Sequence, residues 1–227
     1  MRPLAALVSL IVPPRCCVCG TACSLDEPLC QACERGLRTS VPAPAAVTGL
    51  ELAWSAVAYD GVARDLVSAL KFAGRLRLAH RAAVAIAEGA PHGLLAGVLV
   101  PVPAAPGRRR SRGFDPAERI AGALAASTAL PLAGCLRRTD APRQVGRSRA
   151  ERLGRPPVVR LAGPAPSSAV LVDDVLTTGA TLRACAAALR GGGSEHVVAV
   201  TFARSGVPSG GRVQPIGSPS ARPSRCG

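Results

Sequence analysis

The sequence predicts an α/β fold in which a mainly parallel sheet is flanked by helices on both faces. Between residues 51 and 204, short apolar runs alternate with segments whose apolar residues recur every three or four positions. Strands separated by helices in this way form parallel sheets, which are buried on both faces. With 227 residues, of which 48% are hydrophobic, the chain can also build a sizeable core.

Each element follows from its local pattern. Val62, Leu66 and Leu70 recur at helical spacing, and Asp115-Pro116 is typical of an N-cap followed by proline at the first helical position. We expect the arginine-rich residues 108–112 to form a loop. The expected strands cover residues 52–59, 98–102, 170–172 and 196–202, and the expected helices cover residues 62–72, 76–88, 116–126 and 179–190.

The two ends of the chain differ from its middle. Residues 1–40 contain six of the nine cysteines, and residues 205–227 are Ser, Gly, Pro and Arg with few apolar side chains, which predicts a disordered tail. The apolar residues 4–12 are too few to span a bilayer and are expected to form a short amphipathic helix. We therefore predict three units, 1–40, 51–204 and 205–227, no membrane span and a cytoplasmic location.

The first unit has paired cysteines at a spacing typical of metal sites. Cys16 and Cys19 form one C-x2-C pair, and Cys30 and Cys33 form a second. Two such turns can direct four thiolates at one ion, which predicts a structural, zinc-ribbon-like Zn²⁺ site with no open position for catalysis. A redox pair, or cysteines without a shared role, is the alternative.

Residues 169–181 combine an apolar strand, two acids and a short loop that leads into a helix. The loop residues, whose backbone N–H groups and hydroxyls can bind a phosphate, are Thr177, Thr178, Gly179, Ala180 and Thr181. The acids, Asp173 and Asp174, are the candidate catalytic residues: they can accept hydrogen bonds from ribose hydroxyls and hold Mg²⁺ through water. Phosphate donors beside hydroxyl acceptors predict a site for ribose 5-phosphate. In the alternative, the acids only cap the helix.

This segment resembles the signature of type I phosphoribosyltransferases, and residues 10–204 resemble the ComF family, associated with competence and DNA uptake in bacteria. The resemblance rests on the cysteine module and the phosphate loop, with Tyr59-Asp60-Gly61, Leu70-Lys71-Phe72, Val100-Pro101-Val102-Pro103, Arg112-Gly113-Phe114 and Gln144 in order between them. It implies a type I phosphoribosyltransferase fold with 5-phosphoribosyl 1-pyrophosphate and Mg²⁺ as ligands. It departs from the family at Asp115-Pro116 and Arg155-Pro156. Thr177 stands where purine-salvage enzymes have an aspartate base, which argues against purine salvage.

The net charge of +14 favours phosphate-bearing partners, although an arginine-rich composition alone would also produce it. The resemblance places the loop with Arg108, Arg110 and Arg112 beside the pyrophosphate, and residues 137–155 in a flexible loop over the site. Lys71, the only lysine in the chain, is a further candidate for pyrophosphate binding. A solvated basic surface is the alternative for these cations.

Two functions follow from these observations. The first is an enzyme that displaces pyrophosphate from 5-phosphoribosyl 1-pyrophosphate with an unidentified acceptor. The second is a non-catalytic DNA-uptake factor that binds single-stranded DNA and a helicase-like partner. The few aromatic residues, 2% of the chain, argue against strong binding of single strands, because stacking on aromatic side chains contributes much of that affinity.

Overall fold

The structure is a computed structural model that describes residues 14–24, 27–37, 41–73, 76–139 and 157–206. Within these ranges the helices are α1 (Gln31–Leu37), α2 (Gly61–Ala73), α3 (Leu76–Gly89), α4 (Pro106–Arg112), α5 (Pro116–Thr128) and α6 (Ala180–Gly191). The strands are β1 (Ala53–Ala58), β2 (Val98–Pro101), β3 (Leu136–Thr139), β4 (Val158–Leu161), β5 (Ser168–Leu176) and β6 (His196–Arg204).

Four strands form a parallel sheet in the order β1-β6-β5-β2. Helices α2, α3 and α5 contribute to a core on one face, with Val170 and Val172 of β5 in it. Helix α6 packs on the other face, where Leu171 of β5 lies in a second core with Cys185. The predicted α/β fold with a mainly parallel sheet flanked by helices is confirmed.

Three local features differ from the expectations. The arginine-rich residues 108–112, expected to be a loop, lie in helix α4: Pro106 begins it, and Gly113, at φ 75°, ends it by donating its N–H to Arg109 O at 2.9 Å. A second, antiparallel sheet of β3 and β4 was not predicted. These strands have four residues each, too few for a clear alternation of apolar and polar positions.

The third difference is in the cysteine-rich segment, where helix α1 contains only seven residues and was not predicted. Cys33 and Leu37 of this helix are buried in the same core as Leu66 and Leu70 of α2. The segment is therefore packed against the α/β core through apolar contacts.

Candidate active site and cysteine cluster

The carboxyl ends of the parallel strands bring the predicted residues to one pocket. It has a volume of about 220 Å³, and its lining includes Lys71, Arg108, Arg112, Asp173, Asp174, Thr177 and Thr181. A parallel sheet collects these residues because the loops that follow its strands all leave from the same edge. The residues come from β5, from the loop after it and from helices α2, α4 and α6.

Asp173 and Asp174 lie within β5, which continues to Leu176 beyond the expected end at residue 172. Successive side chains of a strand point to opposite faces of the sheet, so the two acids diverge. Asp173 lines both the main pocket and a smaller cavity of about 40 Å³ at the 177–181 loop, whereas Asp174 lines only the main pocket. The two acids therefore have different surroundings.

Asp174 is paired with Lys71. Its Oδ2 lies 2.7 Å from Nζ of Lys71, which is in the last turn of α2, and the two side chains are only 12% and 23% exposed. The side chain of Asp173 accepts a hydrogen bond at 2.8 Å from the backbone N–H of Asp174. The pKa of Asp173 is raised well above its usual value, first by burial and then by the negative charge of Asp174.

The loop after β5 surrounds the smaller cavity, which is lined by Thr177, Thr178, Gly179, Ala180 and Thr181. It leads directly into the first turn of α6, where the N–H groups of a helix start and the helix dipole favour an anion. Gly179 has φ 71°, and a Cβ placed there would lie 3.1 Å from Cγ2 of Val47. The backbone thus requires glycine for its own conformation and packing, in addition to the close phosphate approach expected from the sequence.

Helix α4 separates its arginines into two groups. Arg108 and Arg112 are four residues apart, so they lie on the same face of the helix, and both line the pocket. Arg112 also lies over the ring of Phe72, with Cζ 5.3 Å from the ring centroid. Arg109 instead lies 3.4 Å from Glu118, and Arg110, a predicted pyrophosphate ligand, is not among the residues that line the pocket.

Sequence reasoning missed three polar residues of the pocket as site residues: Tyr59, Asp115 and Arg138. Tyr59 directly follows β1 and so lies at the carboxyl edge of the sheet, and this position could have indicated that it lines the pocket. Asp115 was recognised only as an N-cap. Its Oδ1 accepts from the N–H of Ala117 at 3.1 Å, as expected, and its Oδ2 accepts from the N–H of Ala104 at 2.7 Å, which joins α5 to the loop after β2. Arg138 was expected only as part of a loop over residues 137–155, but it lies in strand β3, so the loop assignment is wrong for residues 137–139.

The four predicted metal ligands form one cluster. The Sγ atoms of Cys16, Cys19, Cys30 and Cys33 all lie within 4.8 Å of one another, and those of Cys19 and Cys30 are 3.6 Å apart. A tetrahedral zinc ion with Zn–S bonds of about 2.3 Å requires sulfur atoms roughly 3.8 Å apart, so the cluster could hold a structural zinc ion. Cys23 lies outside this cluster, and its thiol donates to Glu27 O at 3.6 Å.

The surroundings of Cys19 also suit a metal ligand. Its Sγ lies 3.3 Å from the hydroxyl of Thr21, and contacts with that hydroxyl and with the Thr21 backbone lower the pKa of Cys19 to about 6. The thiolate is the form of cysteine that binds metals, so these contacts favour binding.

Several predictions lie outside the described residues. They concern the amphipathic helix over residues 4–12, residues 140–155 of the expected loop over the site, with Gln144, and nearly all of the tail 205–227. Of the helices that the structure describes, none has the length and apolar character required to cross a membrane.

A family model matches part of the chain that contains the pocket residues of β5 and α6. Residues 110–212 match the model of the phosphoribosyl transferase domain. The match covers α5, strands β3 and β4, β5, the 177–181 loop, α6 and β6, and it supports a phosphoribosyltransferase-like function. It does not include Lys71, Arg108 or the cysteine cluster. No curated protein matches the chain.

Proposed function

We propose that this protein binds 5-phosphoribosyl 1-pyrophosphate and transfers its ribose 5-phosphate to an acceptor, with release of pyrophosphate from C1 of the ribose. The observation that carries this proposal is the adjacency of the two cavities, whose linings share Asp173, Val175, Thr177 and Thr181. One is a small cradle at a helix N-terminus, and the other is a pocket with acids beside arginines. This arrangement suits a ligand that has a phosphate at one end, hydroxyls in the middle and a pyrophosphate at the other end.

Each part of the ligand has a complementary group in the site. The 5-phosphate lies against the N–H groups and hydroxyls of residues 177–181, where the start of α6 favours negative charge. Asp173 faces the same cradle and accepts hydrogen bonds from the ribose hydroxyls. Arg108 and Arg112 approach from α4 and bind pyrophosphate oxygens through their forked N–H groups.

The transfer step is a displacement at C1 of the ribose. A lone pair of the acceptor forms the new bond to C1, and the bond from C1 to the pyrophosphate oxygen breaks, with its electrons leaving on pyrophosphate. The arginines stabilise the charge that develops on the departing group, since they are already positioned before it forms. The acceptor is unidentified, and Thr177 supplies no general base towards a purine.

Magnesium fits the oxygen ligands of this site. When bound, Mg²⁺ neutralises charge on the pyrophosphate and polarises it towards departure. Asp173 is the acid suited to hold it through water, because the carboxylate of Asp174 is occupied by Lys71 at 2.7 Å.

The alternative function, binding of single-stranded DNA and a helicase-like protein in DNA uptake, stays a prediction of the ComF resemblance. No contact among the described residues favours it. Trp54 and Phe202 are buried, which leaves few aromatic side chains for base stacking. Binding carried by the arginines alone would fall steeply with salt concentration.

Turnover is tested by pyrophosphate release. The full chain, with Mg²⁺ and 5-phosphoribosyl 1-pyrophosphate, should release pyrophosphate slowly to water and faster with a suitable acceptor from a panel of amines and nitrogen heterocycles. If the protein binds 5-phosphoribosyl 1-pyrophosphate but releases no pyrophosphate with water or with any acceptor of the panel, it is a ligand sensor, and the transferase proposal would be wrong.

A further inference from the structure

Helix α1, which carries Cys33, is joined to α3 by a two-pronged ion pair. Arg81 donates from Nε to Oε1 of Glu34 at 2.7 Å and from Nη2 to Oε2 at 2.7 Å. The two side chains are 11% and 26% exposed. A forked pair shielded from water in this way fixes both the distance and the orientation of the two helices.

Helix α1 also rests directly on α2. A Cβ added at Gly36 would lie 2.8 Å from Cγ2 of Val62, closer than real Cβ contacts come, so the backbone of α1 touches the side chain of α2. Leu37 and Cys33 are buried in the same core as Leu66 of α2. Helix α1, which carries Cys33, thus packs on α2 and is joined to α3 through Glu34.

The other end of α2 lies in the pocket. Its last turn carries Lys71, at 2.7 Å from Asp174, and Phe72, whose ring lies under Arg112. Helix α2 therefore contacts α1, the helix that carries Cys33, near its start and Asp174 at its end. Because a packed helix resists bending, we expect a change in how α1 holds the start of α2 to alter the position of Lys71.

We propose that Glu34 and Arg81 are positioning residues, which act with the metal-loaded cysteine cluster to hold α2 so that Lys71 stays against Asp174. This inference deepens the proposed function and rests on it, because it takes Asp173 and Asp174 to be part of the ligand site. It assigns the cysteine cluster a part in ligand affinity in addition to local folding, although no cysteine of the cluster lines the pocket.

The position of Lys71 can be measured directly, because no other lysine occurs in the chain. An amine-specific reagent followed by mass spectrometry of the Lys71 peptide gives its labelling rate. In Glu34→Gln, and after removal of zinc from the parent, this rate should rise roughly two- to thirtyfold, the range over which such couplings act. The matched control is Glu51→Gln, which removes a charge from the more exposed contacts with Arg190 and His196.

Two further measurements distinguish positioning of α2 by Glu34 from a general contribution of Glu34 to stability. Global loosening would also expose the thiol of Cys185, which is fully buried in the other core, whereas release of α2 alone leaves its reactivity unchanged. In a double-mutant cycle, Glu34→Gln should weaken binding of 5-phosphoribosyl 1-pyrophosphate in the parent and have no further effect in Lys71→Met. General destabilisation would weaken binding equally in both backgrounds.

The outcomes distinguish this inference from the proposed function. If the parent binds no 5-phosphoribosyl 1-pyrophosphate, the proposed function fails, while the Lys71 and Cys185 labelling rates still decide whether Glu34 positions α2. If Lys71 labels at the parent rate in Glu34→Gln, or if Cys185 becomes reactive together with it, the inference is overturned whether or not the parent binds the ligand.

Discussion

Nζ of Lys71 lies 2.7 Å from Oδ2 of Asp174, so helix α2 and strand β5 meet through an ion pair inside the pocket. Two adjacent aspartates in a partly buried site would repel each other, and Lys71 compensates the charge of one of them. Asp173, on the opposite face of β5, lines the smaller cavity at the 177–181 loop. The two carboxylates of the pocket therefore have different surroundings.

Replacing both acids with Asn should weaken binding of 5-phosphoribosyl 1-pyrophosphate by roughly tenfold to a thousandfold, because each charge-assisted hydrogen bond contributes roughly 1.5–3 kcal/mol. Asp173→Asn and Asp174→Asn should also weaken binding singly, the latter partly by leaving Lys71 without its partner. Calorimetric titration measures all three variants. If the acids only cap a helix, the double variant binds as the parent does, since Asn caps a helix about as well as Asp.

The raised pKa of Asp173 predicts a dependence of binding on pH. A carboxyl whose pKa is raised keeps its proton to higher pH, so affinity that requires its charge is lost as pH falls through the raised value and recovers above it. Affinity measured across this range should therefore increase with pH in the parent. Asp173→Asn controls for titration of the ligand's own phosphates. If affinity increases with pH as steeply in this variant as in the parent, the charge of Asp173 is not required for binding.

The pKa of Asp173 is higher in the folded protein than in the unfolded chain. The contribution of Asp173 to the free energy of unfolding therefore decreases as pH rises from its pKa in the unfolded chain to its pKa in the folded protein. Asp173→Asn removes this penalty. The variant should lose less stability than the parent between these two pH values, as measured by chemical denaturation.

The cysteine cluster predicts one zinc ion per chain. Protein purified without chelators should contain close to one equivalent, because four thiolates within 4.8 Å of one another satisfy tetrahedral coordination. Cys19→Ser should lower the zinc content, whereas Cys23→Ser, a matched change outside the cluster, should leave it unchanged. Equal zinc content in these two variants would show that the cluster is not the metal site.

Gly179 should tolerate no side chain. Gly179→Val requires a residue at φ 71° and a Cβ 3.1 Å from Val47, so we expect a loss of stability as well as of ligand binding. Thermal unfolding and calorimetry measure the two effects, and Gly191→Val is a control, because a Cβ at that position meets no atom within 4 Å. An unchanged unfolding midpoint for Gly179→Val would contradict the packing account.

The sequence predicted what depends on local pattern: the parallel sheet, most of its helices, the paired cysteines that cluster and the loop between β5 and α6. It did not predict the Lys71–Asp174 pair, because these residues are far apart in the chain and meet only when α2 packs beside β5. Helix α4 was missed because its seven residues are too few for a periodic apolar pattern. That error concealed why Arg108 and Arg112 line the pocket while Arg110 does not.

The most direct test of the central claim is a calorimetric titration of the full chain with 5-phosphoribosyl 1-pyrophosphate and Mg²⁺. The account predicts saturable binding at one site per chain, weakened in Lys71→Met and in the double Asn variant, with little competition from single-stranded DNA. Ribose 5-phosphate should compete weakly, because it engages the cradle without the arginines. Absence of binding by folded, zinc-loaded protein, or binding equally tight in the double Asn variant, would contradict the ribose-phosphate assignment.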